Sequence, residues 1–448
     1  MYKVGLLTLG CKVNTCETEQ IREKLIEAGF ETVDFEDKAD VYLINTCSVT
    51  NIADRKSRQM LHRARKLNPG AVIVATGCYA QINGEKVTEA VDADIVVGNN
   101  HKSEIVDIIK EYLDKMEGTS FCRVDRIEED NEFEPMELHE FPEKSRAFIK
   151  IEDGCNQFCS YCIIPYARGR VRSRDAESIL KEVEELAATG IKEIVLTGIH
   201  LSSYGRRNYE AGMKSESEEF NYGPLLNVIE KIAEIEGIER IRLGSLEPRI
   251  ISEEFAERLK KIEKFCPHFH LALQSGSDSV LKRMNRHYST EEFYGKCVLL
   301  RKIFDNPAIT TDIITGFPGE TEEEFAESME YYAKVNFAKM HIFKFSRRGG
   351  TVADRMPGQL QENVKHERSL KAIALDERQH RAYMESFTGT QQDVLIEEIN
   401  DGACRGLISR YIPVVFENRN NNKVNDIVKV TITGVIDNEN LQGWEVNS

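Results

Sequence analysis

No apolar run in this chain of 448 residues reaches the roughly 18 residues that a membrane-crossing helix needs, so no bilayer span is expected. The opening MYKVGLLTLGCKVN has no basic segment ahead of a long apolar stretch, and a secretory signal is not expected either. Positive charge is in deficit: 59 Lys and Arg stand against 75 Asp and Glu, a net charge of −16. Nucleic-acid binding therefore cannot rest on bulk charge and must come from local patches. Self-similarity at the roughly 20–50-residue periods of repeat proteins is absent, which argues against a solenoid. Cysteine, by contrast, is plentiful. Eleven cysteines in a chain without export signals point to ligands or free thiols in a reducing cytosol rather than to bridges.

Short apolar runs alternate with helical patterns over residues 1–117. KVGLLTLG precedes the amphipathic stretch Thr15–Phe30, and VYLIN precedes a helix running to about Leu67. AVIVAT precedes a short helix near Gly84–Ala90, and ADIVVG a helix over Ser103–Lys115. Strand alternating with helix implies right-handed βαβ units and an open, mostly parallel α/β sheet. Residues 118–144 dissolve into an acidic segment, IEEDNEFEPMELHEFPEK, which reads as a linker.

A second alternation fills residues 145–380. Candidate strands are Phe148–Glu152, Glu193–Thr197, Arg240–Gly244, His268–Ala272, Ile309–Ile314 and Ala338–Phe343. Six strands fall short of a complete eight-stranded barrel, so a partial (β/α)6 barrel is expected, open to a bulky substrate. Thr321 and Glu324 form a capping box after the FPG turn. A polar helix over about Glu362–Phe387 leads to short β-type runs separated by Asn, Gly and Asp. Residues 384–448 thus read as a small all-β barrel.

The strongest chemical signal is Cys155-Asn-Gln-Phe-Cys159-Ser-Tyr-Cys162, directly after the first strand of the central region. Zinc sites reach four ligands through paired cysteine knuckles or added histidines, yet no fourth Cys or His follows closely here. Three thiolates suit a four-iron cluster that keeps one iron open, and an open iron can bind a chelating amino-acid moiety. Three further cysteines, Cys11, Cys47 and Cys78, each follow immediately on an apolar strand, in TLGC, INTC and ATGC. Loops at the carboxyl ends of parallel strands line one crevice, so these three are candidate ligands of a second cluster. Cys16 lies within the first helical pattern and shares neither position nor context. Cys122, Cys266, Cys297 and Cys404 are isolated.

The C-x3-C-x2-C loop at the mouth of a partial barrel resembles the radical S-adenosylmethionine (SAM) superfamily. The motifs TLGCKVN, NTCSVT, ATGCYAQ, DGCNQFCSYCIIPYARGRVRSR, TGIHLSSYG, SLEP, QSGSDSVLKRMNR and TDIITGFPGET together resemble the radical SAM methylthiotransferases over essentially the whole chain. The terminal β-region resembles the RNA-binding TRAM domain. This resemblance implies an enzyme with two [4Fe-4S] clusters. The one on Cys155, Cys159 and Cys162 would reduce bound SAM, giving methionine and a 5′-deoxyadenosyl radical that abstracts hydrogen from an unactivated carbon. Cys11, Cys47 and Cys78 would hold the cluster that carries or supplies the inserted sulfur. The resemblance also implies SAM contacts at strand ends: Gly198 in LTG, Gln274 and Ser275 after HLAL, and Asp312 in TTDIITGFPGE. LTG departs from the commoner Gly-Gly-Glu form. No acid or base is assigned.

Within the family, KIEDGCNQFCSYCIIPYARGR and LTGIHLSSYG look most like the branch that methylthiolates C2 of N6-threonylcarbamoyladenosine in tRNA. The runner-up modifies isopentenyladenosine, and a third branch modifies an aspartate of a ribosomal protein. An iron–sulfur carrier, the non-enzyme alternative, needs neither a barrel nor a SAM pocket. The implied partners are the anticodon stem-loop of tRNA and an electron donor, in the cytoplasm and without a membrane. For RNA, Arg55, Lys56, Arg58, Arg63, Arg65 and Lys66 place six basic residues and no acid in twelve positions. Arg168, Arg170, Arg172 and Arg174 follow the cysteine loop and are expected near phosphate. From Glu385 to Ser448, five Lys and Arg face ten Asp and Glu, so that region cannot bind RNA through net charge.

Overall fold

The computed structural model describes residues 1–91, 93–115, 120–127, 132–138, 145–206 and 222–446; parts of the acidic linker lie outside them. The amino-terminal sheet is built from β1 (Lys3–Thr8), β2 (Glu31–Val33), β3 (Val41–Thr46), β4 (Val72–Gly77), β5 (Ile95–Val97) and β6 (Phe121–Arg123). Neighbours are parallel throughout, in the order β2-β1-β3-β4-β5-β6. Every residue of β3 is buried, which explains the apolar run Val41–Ile44: a strand covered on both faces has little polar side to show. Strand order reverses between β1 and β3, and a crevice opens there outside the carboxyl ends of the strands.

Helices α1 (Lys12–Glu27), α2 (Asn51–Leu67) and α3 (Cys78–Asn83) leave from the ends of β1, β3 and β4. α1 begins at Lys12 and not at Thr15, because Cys11 holds the cap position without a side-chain capping bond. The sequence therefore carries no cap signal. The buried face of α1 includes Asn14, Glu17, Thr18 and Gln20. It is polar because it packs against charged residues of the central barrel, and this is why apolar periodicity appears late.

The central region forms a partial barrel of six parallel strands. They are Arg146–Lys150, Glu193–Thr197, Arg240–Leu243 continuing past Gly244 as Ser245–Leu246, His268–Leu271, Ala308–Thr315 and Lys339–Lys344. The first and sixth strands are edges. α1 packs on the first, and helix Glu362–Glu385 covers the sixth, where the Met340 N–H donates to Asp376 Oδ1 at 2.6 Å. The first strand stops at Lys150 and does not reach Glu152. Glu152–Asp153 instead turns to pair antiparallel with Arg172–Ser173, closing the base of the cysteine loop. The capping box of Thr321 and Glu324 is formed.

The chain ends in a closed five-stranded barrel made of Gln391–Asn400, Ala403–Leu407, Pro413–Glu417, Ile427–Val435 and Leu441–Glu445. It docks on the central barrel through arginines: Arg240 Nη1 donates to the Leu407 carbonyl at 2.8 Å and Arg242 Nη1 to that of Ser409 at 2.9 Å. Among the described residues no helix is long and apolar enough to cross a membrane.

Candidate functional site

Cys11, Cys47 and Cys78 follow the adjacent strands β1, β3 and β4, at the point where strand order reverses. Two glycines permit the close approach of their loops. Gly10 has φ +102°, and a Cβ there would lie 2.8 Å from Cys47 Sγ. Gly77 has φ +91°, and a Cβ there would lie 2.4 Å from the Thr46 carbonyl oxygen. Only glycine fits such positions. Ser57 fixes Cys47: its Oγ accepts from the Cys47 N–H at 3.2 Å and donates to the Cys47 carbonyl at 3.0 Å. Burial pushes the Cys47 thiol up to about 11, and Cys78 adds to the effect.

Cys155, Cys159 and Cys162 occupy a loop pinned on two sides. At its base the Cys155 N–H donates to the Gly169 carbonyl at 3.0 Å. At its far side Asn285 Nδ2 donates to the carbonyls of Gln157 and Phe158, at 3.3 and 3.1 Å. Arg286 Nη1 lies 3.2 Å from Cys159 Sγ. Burial holds the Cys155 thiol well above its usual range. Thiols enclosed in this way become thiolates only beside strong positive charge, which iron supplies. Among the described residues no three His, Cys, Asp or Glu side chains gather closely enough to hold one metal ion.

Gly154 offers a direct test of this loop. It has φ +83°, and a Cβ there would lie 1.9 Å from the Arg170 carbonyl oxygen. Gly154→Ala must displace backbone that carries Cys155, at a cost of about 3 kcal/mol. A lower melting temperature and loss of central-cluster iron are expected. Full iron content at the wild-type melting temperature would contradict this account of the loop.

The two triplets face one another. α3, which starts at Cys78, packs on the short helix Ile164–Ala167 just after Cys162. Asn99 Nδ2 stands 3.9 Å from Cys78 Sγ and donates to the Ala167 carbonyl at 2.7 Å. Cys162, pushed up to about 12 by its enclosure and then by Cys159, also feels Cys78 across the gap.

A cavity of about 840 Å³ runs from Cys11 into the barrel, with Gly198 and Asp312 on its wall. Gly198 leaves room for buried Glu152, whose Oε2 would lie 2.6 Å from a Cβ at that position and accepts from the His200 N–H at 2.7 Å. Burial raises the Glu152 carboxyl well above the usual carboxylate range. Asp312 Oδ2 meets His270 Nε2 at 3.3 Å. Gln274 and Ser275 lie behind this wall and do not line the cavity. The Gln274 N–H donates to the Asp312 carbonyl at 2.9 Å, and Ser275 Oγ accepts from the Ser277 N–H at 3.3 Å.

The arginines after the cysteine loop depart from expectation. Only Arg170 is exposed. Arg168 is fully buried against Glu17 and Asp153, and Arg174 pairs with Glu182. Arg172 is buried as well. Arg168 meets a carboxylate across the domain interface, and Arg172 and Arg174 meet Asp153 and Glu182 within the central domain, which leaves none of the three for phosphate. On α2, Arg63 and Arg65 pair with Glu36 and Asp94, while Arg55, Lys56 and Lys66 remain exposed. Cys16 is buried on α1, and its thiol is pushed up to about 12 by that burial. Glu152 and Arg286 are not singled out by the sequence, and Arg168 is singled out only as a phosphate contact, not as the buried partner of Glu17 and Asp153. Each stands inside or beside a quoted motif, and that was their only signal.

A partial parallel barrel with three cysteines on the loop after its first strand is the framework of a radical SAM enzyme. The chain matches the Radical SAM superfamily over residues 149–332, the Uncharacterized protein family UPF0004 over 3–98 and the TRAM domain over 385–438. It belongs to the radical SAM tRNA methylthiotransferase family, whose members use SAM and two [4Fe-4S] clusters. The threonylcarbamoyladenosine tRNA methylthiotransferase MtaB of Bacillus subtilis is 40% identical over 437 residues, covering 96% of this chain and 94% of the relative. Its counterpart from Aquifex aeolicus is 39% identical over 430 residues, covering 96% and 100%. The tRNA-2-methylthio-N(6)-dimethylallyladenosine synthase of Clostridium novyi is 37% identical over 399 residues, covering 87% and 84%. Among solved structures, the radical SAM methyltransferase TsrM of Kitasatospora setae shares the fold at a TM-score of 0.57 and 16% identity, covering 79% of this chain and 77% of that one.

Proposed function

We propose that this protein methylthiolates C2 of N6-threonylcarbamoyladenosine beside the tRNA anticodon, giving 2-methylthio-N6-threonylcarbamoyladenosine. The reading rests on two facing cysteine triplets, with Cys11 opening onto the cavity, in a chain that matches threonylcarbamoyl-specific relatives at 39% and 40% identity. Cys155, Cys159 and Cys162 would hold one [4Fe-4S] cluster and Cys11, Cys47 and Cys78 the other. Gly198 and Asp312, on the cavity wall, would border SAM, with Gln274 and Ser275 supporting that wall from behind. When bound, these groups supply one-electron cleavage of the sulfonium and a hydrogen-abstracting radical.

The chain's own residues do the positioning. Arg286 keeps a cation against Cys159 and would offset the negative charge of a cluster held there. α3 and helix Ile164–Ala167 pack on one another and hold the triplets face to face. Arg55, Lys56 and Lys66 on α2 and Arg170 beside the loop offer exposed positive charge to RNA phosphates. A single-stranded anticodon-loop base can be splayed into a cavity of this size, as RNA readers require. The site of action would be the cytoplasm, where an electron donor must reduce the central cluster.

Nucleoside analysis of tRNA from deletion and complemented cells tests this function. The methylthio-threonylcarbamoyl nucleoside is expected to disappear on deletion and to return on complementation. If it persists while the methylthio-isopentenyl nucleoside vanishes, the dimethylallyl-type activity is the right one.

A further inference from the structure

Among the described residues, the wall of the cavity beside the amino-terminal triplet carries one cation, Lys12, with neither an ion pair nor a hydrogen-bond partner. Its wall carries Lys12, Lys339, Arg410 and four histidines against Asp312 and Glu439. Lys339 meets Asp376 at 3.1 Å, His270 meets Asp312 at 3.3 Å, and Arg410 Nη2 donates to the Asp305 carbonyl at 2.8 Å. Behind the wall Arg242 pairs with Glu193 at 2.9 Å and Arg146 with Glu397 at 2.5 Å. Lys12 differs. Among the described residues it makes no ion pair and no hydrogen bond, and its ammonium lies 5.2 Å from the centroid of the Tyr411 ring.

Tyr411 is held deliberately in place. It comes from the terminal barrel and has φ 67°, a left-handed conformation rare for a bulky residue and kept only where the surroundings over-determine it. Its ring stacks on His268 at 5.2 Å, and the guanidinium groups of Arg146 and Arg242 lie 5.2 and 4.8 Å from its centroid. Two domains therefore meet to set an aromatic floor beneath the Lys12 ammonium. That ammonium sits one residue from Cys11, on the wall of a cavity large enough for a nucleoside.

We propose that Lys12, seated over Tyr411, is the carboxylate-binding point of the substrate cavity and takes the α-carboxylate of the amino-acid side chain on the modified adenine. The proposal rests on the threonylcarbamoyl reading above. In such a nucleoside the adenine, the carbamoyl and the hydroxyl are neutral, so the carboxylate is the one charge that Lys12 can match. SAM also carries a carboxylate, but its amino-acid moiety is expected at the open iron of the Cys155 triplet, whereas Lys12 adjoins Cys11 of the other. An isopentenyl group brings no anion. The cavity then rejects it by leaving the ammonium unpaired, which is how a polar subsite discriminates against an apolar analogue. The terminal barrel contributes a wall of the specificity pocket through Tyr411.

The test uses anaerobically reconstituted full-length protein. Dissociation constants are measured for three anticodon stem-loop RNAs. They carry threonylcarbamoyladenosine, its neutral primary amide, or isopentenyladenosine. The native protein should bind the acid about tenfold or more tightly than the amide, the size of a hydrogen bond to a charged group. Lys12→Met and Lys12→Gln should bring that ratio to within about twofold by weakening the acid alone, while Lys12→Arg should keep most of it. Iron content and circular dichroism show which variants are intact, and the glutamine variant serves if the methionine one loses iron. An unchanged acid-to-amide ratio in intact variants overturns the proposal. So does weaker SAM binding at an unchanged ratio, which would assign the carboxylate to SAM. A native protein that prefers the isopentenyl RNA overturns the threonylcarbamoyl reading itself.

Discussion

Replacing Cys159 by Ala is expected to bring 5′-deoxyadenosine formation to background and iron from about eight to about four per chain. Replacing Cys47 by Ala should remove a similar amount of iron yet leave uncoupled 5′-deoxyadenosine release at least partly intact, with methylthiolation abolished. The asymmetry follows from where the two triplets sit. Cys159 belongs to a loop pinned by Asn285 and touched by Arg286 at 3.2 Å, at the mouth of the barrel. Cys47 follows β3 in another domain, held by Ser57. Cluster loss can destabilise the domain that folds around it, so circular dichroism and iron content must accompany both assays. If the Cys47→Ala protein folds, keeps its central cluster and still methylthiolates tRNA at a normal rate, the amino-terminal triplet is not the sulfur site.

The sequence exposes the cysteines because their context is local. Each of Cys11, Cys47 and Cys78 comes directly after an apolar run, and parallel sheets bring such strand ends together without any knowledge of side-chain packing. The six-strand count and the terminal barrel are legible for the same reason. What was not legible depends on pairs distant in sequence. α3 packs against helix Ile164–Ala167, and neither of these short helices has a periodicity that announces it. Arg168, Arg172 and Arg174 look like a phosphate clamp in one dimension. Their partners, Glu17 and Glu182 among them, are fixed only once α1 and the central helices are packed. The role of Tyr411 had no signal at all, since an isolated tyrosine in a β-run is ordinary until its backbone conformation and its cationic neighbours are seen.

Arg168 is where the packing argument carries its largest energetic consequence. Its Nη1 donates to Glu17 Oε1 at 2.8 Å and to Asp153 at 3.1 Å, and its Nη2 donates to Asn14 Oδ1 at 2.6 Å. Asn14 Nδ2 in turn donates to the carbonyls of Leu9 and Thr46, at 2.7 and 3.1 Å, just ahead of Cys11 and Cys47. Lys150 joins Glu17 at 3.0 Å, and Lys102 pairs with it from the other side. One guanidinium six residues after Cys162 thus ties the central loop to two strand ends of the other domain. Although Lys102 and Lys150 remain, removing Arg168 breaks buried ion pairs and leaves lone pairs of Glu17, Asp153 and Asn14 without their donor, at a cost of about 3–5 kcal/mol. Arg168→Met is therefore expected to lower stability by that amount and to cost amino-terminal iron. Arg168→Lys should recover only part, because it lacks the planar fork. The acid limb should move too. Burial pushes the Glu17 carboxyl up, but Arg168 and then Lys102 and Lys150 together hold it well below the usual range. Its stabilising charge is present above the ordinary carboxylate range and is lost only as pH falls through the depressed value. In Arg168→Met the carboxyl rises toward its ordinary value or above, so the melting temperature should begin to fall at a higher pH than in the native protein. Thermal melts from pH 8 down to about pH 3 across the carboxylate range, on all three proteins, decide the matter: an Arg168→Met curve that overlays the native one, with full iron, would show that this network does not join the two halves of the site.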